Sequence, residues 1–309
     1  MERQKSKTAL KLVLLLLLAV GTIISLLPYG AAAFRHRIYS FFGLTDFTDA
    51  ADQSPLSVHV LDVGKADSIL IECEGKYMLV DGGTIDCGEP VAEYLKRRGV
   101  KTLDYVVNTH PDSDHIGGLS EIIRRFSVEH YLAPAIPLEL IPLSEEYRLT
   151  QEVLHEKRLA SSAPKFGDTY FLGKLKIQVL GPLKTGTSTN NNSILLRLTY
   201  GNTHFLLMGD AEKEEEADLL ASGADLTADV LKVGHHGSST STTAELIKAV
   251  QPRYAAISVA DDTNHLPKND VIKRLNDKGV QTFRTDIYGT ILFLSDGHSV
   301  HVATEKKKP

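Results

Sequence analysis

The sequence predicts an α/β fold in which two β-sheets pack face to face and helices cover both outer surfaces, a four-layer αββα sandwich. Two observations lead to this prediction. Short apolar runs bounded by turn residues, typical of strands, occur in both halves of the chain between residues 55 and 303. Segments with helical start and stop signals accompany these runs in each half. Two sheet-forming halves with helices outside them form such a layered sandwich.

In the first half, three closely spaced strands are expected before the first helix, which suggests an antiparallel meander. That helix begins with Pro90 and ends with Gly99, residues that commonly start and stop helices. The strands predicted here are Ser57–Val63, Ser68–Cys73, Tyr77–Val80, Leu103–Asn108 and Val128–Leu132. The predicted helices are Pro90–Gly99, Gly117–Phe126 and Ser144–Leu159.

The second half repeats this pattern of apolar strands and flanking helices. The predicted strands are Lys176–Leu180, Ser193–Thr199, His204–Met208, Asp229–Val233, Tyr254–Val259, Gln281–Phe283, Thr290–Leu294 and His298–Val302. The predicted helices are Ala211–Ala221, Thr242–Val250 and Lys268–Lys278.

The composition is that of an ordinary globular protein. The chain has 309 residues, of which 42% are hydrophobic, so it can bury a substantial core. The formal net charge of -5 excludes the strongly basic surface that by itself argues for nucleic-acid binding. Cys73 and Cys87 are too few for a disulfide framework or a cysteine zinc site. Any metal would therefore be held by nitrogen and oxygen ligands.

Residues 1–33 are typical of a membrane-targeting segment. A basic start precedes the uncharged stretch from Leu12 to Leu27. This pattern fits an uncleaved signal anchor, and equally a cleaved signal peptide, with the rest of the chain outside the cytoplasm in both cases. The other predicted segments are a linker over residues 34–54, a folded domain over residues 55–303 and a basic tail over residues 304–309.

The segment Thr109–Gly118, directly after a predicted strand, contains four potential metal ligands within six residues. These are His110, Asp112, Asp114 and His115. On a helix or strand they would point in several directions, whereas a tight loop allows them to converge on a metal. The alternative is a solvated polar turn, since Pro, Asp and Ser are common turn residues.

Further candidates follow predicted strands in the second half. These are Asp210, the adjacent His235 and His236, and His265. Because each lies just past the carboxyl end of a strand, we expect them at one edge of the sandwich with the first loop. Asp210 alone could instead cap the following helix, and His265 could be an incidental loop residue. Ser238 and Ser239 suggest a serine hydrolase only weakly, because no Gly-x-Ser-x-Gly turn is present.

In this order, these motifs resemble the metallo-β-lactamase superfamily, and more closely the hydrolase domain of ComEC-type competence proteins. The resemblance covers Pro55–Val302. The segments that carry it are Leu61–Gly64 with Asp67 and Ser68, Leu79–Gly83, Thr109–Gly118, Asn191–Ser193, Gly209 with Asp210, and Val233–Ser238.

The resemblance implies two divalent metal ions, zinc or manganese. The implied metal ligands are His110 and Asp112 for one ion, Asp114 and His115 for the other, Asp210 as a bridge, and His235 as the late ligand. The implied catalytic groups are Asp114, His236, which is an alternative ligand or substrate contact, and His265, which would contact the leaving phosphate or carry a proton. Asp81 is implied to support the site without binding metal.

Several residues depart from the family pattern. Asp112 replaces the second histidine of the general signature, so manganese becomes an alternative to zinc. The third histidine ligand that the family pattern has before Asn191 is not found, which leaves the first metal site short of a ligand. Lys65 and Ala66 stand where the competence subgroup usually has Gln-Gly. With one apolar segment, the chain is expected to lack the channel of the competence proteins.

The resulting hypothesis is an extracytoplasmic, membrane-tethered or secreted dinuclear-metal hydrolase of phosphodiesters, either DNA or an envelope phosphodiester. Two alternatives are a di-iron redox protein of the same fold and a catalytically inactive scaffold. The sequence predicts no oligomeric state.

Overall fold

The computed structural model describes residues 47–260, 263 and 265–307. The chain forms two compact units, Met1–Gln53 and Ser54–Pro309. The described part of the first unit is a 3-10 helix, Phe47–Gln53. The predicted membrane-targeting segment over residues 1–33 lies outside the described residues. Within the described ranges, no helix is long and apolar enough to cross a membrane.

The second unit alternates strands and helices. Its strands are β1 Leu56–Val60, β2 Ile69–Cys73, β3 Lys76–Val80, β4 Thr102–Val107, β5 Ser127–Leu132, β6 Ser161–Ser162, β7 Thr169–Leu172, β8 Leu175–Gly181, β9 Leu195–Tyr200, β10 Thr203–Leu207, β11 Val230–Lys232, β12 Tyr254–Ile257, β13 Gln281–Arg284, β14 Ile291–Ser295 and β15 Val300–Thr304. Its α-helices are α1 Gly88–Arg97, α2 Ser113–Ile116, α3 Leu119–Arg125, α4 Glu145–Glu156, α5 Lys213–Ala221, α6 Ala244–Val250, α7 Asn269–Asp277 and α8 Thr285–Tyr288.

The strands form two sheets. One has eight strands in the order β15-β14-β1-β2-β3-β4-β5-β6, and the other has seven in the order β13-β12-β11-β10-β9-β8-β7. The predicted meander of β1, β2 and β3 is antiparallel, whereas β3, β4 and β5 are parallel. In the second sheet, β10 to β13 are parallel.

Three apolar layers hold the sandwich together. The middle layer contains buried side chains of both sheets, such as Val58 of β1 and Leu196 of β9. On the outside of the first sheet, α1, α3 and α4 bury side chains such as Leu95. On the outside of the second sheet, α5, α6 and α7 do the same with side chains such as Leu246. Because burial of apolar surface is the dominant stabilising term, these layers confirm the predicted four-layer α/β fold.

The single helix predicted over residues 117–126 does not begin at Gly117 in the structure. The chain instead forms two short helices, α2 and α3, on either side of Gly117 and Gly118. A Cβ atom on Gly118 would clash with the carbonyl oxygen of Gly82, and one on Gly117 with the backbone of Ile85. The two glycines therefore allow the loop after β4 to pack against the loop after β3. The short elements β6, β7 and α8 were not predicted.

Candidate metal centre

The metal-ligand loop begins where β4 ends. Asn108 shapes it, since its side-chain amide donates to the carbonyl oxygen of His110 over 2.6 Å. Asp112 lies at the N-terminus of α2 without using its carboxylate as a cap. The His110 and His115 side chains are fully buried. Thus the loop directs two imidazoles inward, and the carboxylate of Asp112 makes no capping hydrogen bond to α2.

A backbone hydrogen bond joins this loop to the second sheet. The amide of Ile194, just before β9, donates to the carbonyl oxygen of Thr109 over 2.9 Å. The carboxyl ends of β4, β10 and β11 therefore open onto a common edge, where polar groups from the two sheets meet.

Asp81, which directly follows β3, orients His115. Its carboxylate accepts hydrogen bonds from the backbone amide of Thr109 over 2.8 Å and from the Thr109 hydroxyl over 2.7 Å. It also lies 2.8 Å from Nδ1 of His115. Because a carboxylate only accepts, Nδ1 donates a hydrogen bond to Asp81, and Nε2 is the ring nitrogen that faces the site. Asp81 thus contacts the ring of His115, and its supporting role in metal binding stays a prediction.

Asp210 enters from the second sheet, just beyond β10. Its backbone amide donates to the hydroxyl of Ser193 over 3.1 Å. Its Oδ1 lies 3.3 Å from Nε2 of His115, and its Oδ2 lies 3.6 Å from Nε2 of His236. Helix α5 begins only at Lys213, with Glu212 as its N-cap residue. Asp210 therefore faces the histidines and does not cap a helix.

The two histidines after β11 have different environments. His236 is fully buried, and its Nδ1 donates to the carbonyl oxygen of Ser258 over 2.9 Å. Its Nε2 lies 3.6 Å from Oδ2 of Asp114. His235 is 24% exposed, and its Nε2 is 3.9 Å from Asp210. The sequence implied His235 as the late ligand with His236 as an alternative; the geometry favours His236, whose Nε2 lies among the potential ligand atoms, whereas His235 lies at the rim.

Among the described residues, three overlapping groups of potential ligand atoms result, with the ligand atoms of each group within 4.8 Å of one another. They are His110, His115 and Asp210; Asp114, His115 and His236; and Asp67, Asp81 and His115. Within these groups, Nε2 of His110, of His115 and of His236 and Oδ1 of Asp210 and of Asp67 are buried and have no hydrogen-bond partner. Because unpaired buried polar atoms are costly, their convergence fits a set of ligands for metal cations.

Charge coupling in the site is strong. Burial lowers the pKa of His115, but the carboxylates of Asp210 and Asp81 outweigh burial and raise that pKa well above its usual value. In turn His115 and His236 hold the pKa of Asp210 well below its usual value, against burial. Burial, followed by the charge of His115, lowers the pKa of His110. The carboxylate of Asp210 is thus held in the ionised form in which it binds cations.

Two expected residues lie outside these groups. Asp112 is partly exposed, and its Oδ2 is 3.7 Å from Nε2 of His110, close enough to share a cation with it. His265 is exposed and has a left-handed backbone. Neither residue belongs to any of these ligand groups among the described residues. The catalytic role of His265 therefore stays a prediction.

Sequence reasoning assigned no role to Asp67 and Lys232, which form an ion pair beneath the site. Lys232 Nζ lies 2.9 Å from Oδ2 of Asp67, with only 1% and 2% of the two side chains exposed. Asp67 Oδ1 is 3.9 Å from Nδ1 of His236. A lysine inside the apolar strand β11 was the available signal, because a buried ammonium group requires a counter-charge.

Comparison with known proteins agrees with this geometry. Residues 61–260 match the model of the metallo-beta-lactamase superfamily. The chain is 31% identical to ComE operon protein 3 of Bacillus subtilis over 256 residues, which cover 76% of this chain and 32% of that protein. It is 28% identical to competence protein ComA of Neisseria gonorrhoeae, covering 92% of this chain and 39% of that protein. The chain thus spans 32% and 39% of the lengths of these two relatives.

A solved structure with a similar fold is CmlA, a diiron beta-hydroxylase from Streptomyces venezuelae. The TM-score is 0.52 at 13% identity, covering 84% of this chain and 59% of that one. At this identity the likeness concerns the fold alone.

Proposed function

This chain belongs to the metallo-β-lactamase superfamily, and we propose that it is a dinuclear-metal hydrolase of phosphodiesters that acts outside the cytoplasm. The observation that carries the proposal is the convergence of three imidazole nitrogens and a carboxylate oxygen, all buried and without hydrogen-bond partners. The superfamily consists mostly of metal-dependent hydrolases, which agrees with this donor set.

The residues divide into two unequal ligand sets. His110, Asp112 and Asp210 would hold one cation, and Asp114, His115 and His236 the other, with Asp210 between them. The first set has two carboxylates and one imidazole, so manganese is as suitable as zinc. When bound, two such cations lower the pKa of a coordinated water toward neutrality and polarise the ester that is cleaved.

The chain's own contribution is to orient the ligands. Asp81 fixes the ring of His115, and the carbonyl oxygen of Ser258 fixes the ring of His236. Both contacts place the proton on Nδ1 and leave Nε2 available to a metal. His235, which is partly exposed beside Asp210, is positioned to contact a substrate at the mouth of the site.

Two observations support a phosphodiester substrate and an external location. One relative is named competence protein ComA and another ComE operon protein 3, which favours DNA. The net charge of -5 does not reinforce that choice, so an envelope phosphodiester is the other candidate. The basic start and the apolar stretch Leu12–Leu27 favour export of the domain.

The test is hydrolysis of bis(4-nitrophenyl) phosphate, single-stranded DNA and a teichoic-acid-like polymer by the full chain, stripped of metal and reloaded with manganese or zinc. We expect turnover that Asp210→Ala reduces by about a hundredfold or more. Asp277→Ala is the matched control, because this exposed carboxylate pairs with Lys273 on α7. Absence of bound metal together with absence of hydrolysis in any divalent ion would refute the proposal. Iron that undergoes redox turnover, without hydrolysis, would instead favour the di-iron alternative.

A further inference from the structure

Lys65 lies at the entrance to the candidate metal centre. It belongs to the loop between β1 and β2, and its Nζ is 2.6 Å from Oδ2 of Asp114. The Lys65 side chain is 29% exposed and that of Asp114 is 17% exposed. The ammonium group thus contacts a proposed metal ligand, and the Lys65 side chain is partly open to solvent.

The position of Lys65 is fixed by the residues that follow it. Ala66 is fully buried. The backbone amide of Asp67 donates to the carbonyl oxygen of Asp114 over 3.0 Å, and its carbonyl oxygen accepts from Gly83 over 2.8 Å. The Asp67 side chain is anchored by the buried ammonium group of Lys232. The loop is therefore bound on two sides to the loops of the metal centre, and Lys65 does not project from a free surface segment.

A fixed cation at this point distinguishes substrates by charge. The phosphoryl group of a phosphodiester carries a negative charge, and its non-bridging oxygens gain more charge as the ester is cleaved. A neutral ester lacks that charge in the ground state. An ammonium group donates charge-assisted hydrogen bonds, which are stronger than those of a neutral amide.

We propose that Lys65 is a specificity-determining residue whose ammonium group binds a non-bridging oxygen of an anionic phosphate ester and favours it over neutral esters. This inference rests on the proposed hydrolase function and extends it to the substrate class. Asp114 holds the ammonium group at the edge of the site, so the lysine meets the phosphoryl group without replacing a metal ligand.

The test compares Lys65→Gln with Lys65→Arg in the full, metal-loaded chain. Glutamine retains hydrogen-bonding capacity but not charge, whereas arginine retains both. Lys76→Gln is the matched control, because Lys76 pairs with Asp104 at the amino end of β3, away from the site. For bis(4-nitrophenyl) phosphate we expect Lys65→Gln to raise KM by about tenfold or more. Lys65→Arg should stay within about threefold of wild type, and Lys76→Gln should be unchanged.

Binding of inorganic phosphate, measured by calorimetry, provides a readout that needs no turnover. Lys65→Gln should weaken it by a factor similar to the rise in KM, with metal content equal to wild type. Unchanged phosphate affinity and KM would overturn the inference, as would a fall in kcat alone, which would mean that Lys65 acts only through Asp114. If the wild type binds metal and phosphate but cleaves no phosphodiester, the proposed function fails, while the phosphate affinities still decide the role of Lys65.

Discussion

Replacing Lys232 with methionine tests the buried ion pair beneath the candidate metal centre. Lys232 and Asp67 are 2.9 Å apart and almost completely excluded from solvent. Methionine has a similar shape but leaves the carboxylate of Asp67 buried without its partner. Breaking a buried pair in this way costs about 3–5 kcal/mol. We therefore expect the free energy of unfolding of Lys232→Met to fall by that amount.

Two further variants separate the charge from the packing. Adding Asp67→Asn to Lys232→Met removes the unpaired charge and should recover part of the lost stability. Lys76→Met breaks an ion pair in which the lysine side chain is 53% exposed, and it should cost less than about 1 kcal/mol because water screens exposed pairs.

The assay is urea unfolding followed by far-UV circular dichroism, since the chain has no tryptophan. A chelator keeps metal binding from contributing to the measured stability. A loss below about 1 kcal/mol for Lys232→Met, no larger than that for Lys76→Met, would refute the reasoning.

The ion pair also predicts a pH dependence. Burial raises the pKa of Asp67, but the neighbouring positive charges, chiefly that of Lys232, together outweigh burial and the pKa is lowered. The stabilisation from the ion pair is therefore present above the usual aspartate pKa and is lost as the pH falls through the lowered pKa of Asp67.

Other changes give further expected outcomes. Asp81→Asn should weaken metal affinity by about 10–100-fold because His115 loses its carboxylate acceptor; unchanged affinity in chelator competition would contradict this. Burial raises the pKa of Glu215 well above its usual value. Its stabilising contribution is thus present at low pH and is lost as the pH rises through the raised pKa. In urea unfolding, Glu215→Gln should abolish this loss of stability at pH values above the usual glutamate pKa, and an unchanged pH dependence would argue against it. Gly118→Ala should lower the unfolding free energy by more than about 2 kcal/mol through its clash with Gly82; near wild-type stability would disprove the clash.

Most of the architecture follows from local pattern. Candidate residues such as His110 and Asp210 lie just past apolar strands, and strand ends of the same direction meet at one sheet edge. That rule was sufficient to predict that loops from both halves converge. The edge strand β6 escaped prediction because two exposed residues, Ser161 and Ser162, show no periodicity.

The orientation of side chains depends on tertiary contacts that sequence spacing does not contain. His235 and His236 are adjacent and both have left-handed backbones, so no periodicity decides which ring is buried. The hydrogen bond from His236 to Ser258, 22 residues later, decides it. The pairing of Lys232 with Asp67 likewise joins the two sheets and is determined only when they pack.

The central claim is that two cations are held by a ligand set that includes His236 and not His235. Its most direct test is the metal content of the reloaded chain, measured by mass spectrometry for wild type, His236→Ala and His235→Ala. We expect about two divalent ions per chain in wild type and in His235→Ala, and loss of at least one in His236→Ala. A wild type that binds no metal, or a loss of metal in His235→Ala but not in His236→Ala, would contradict the account.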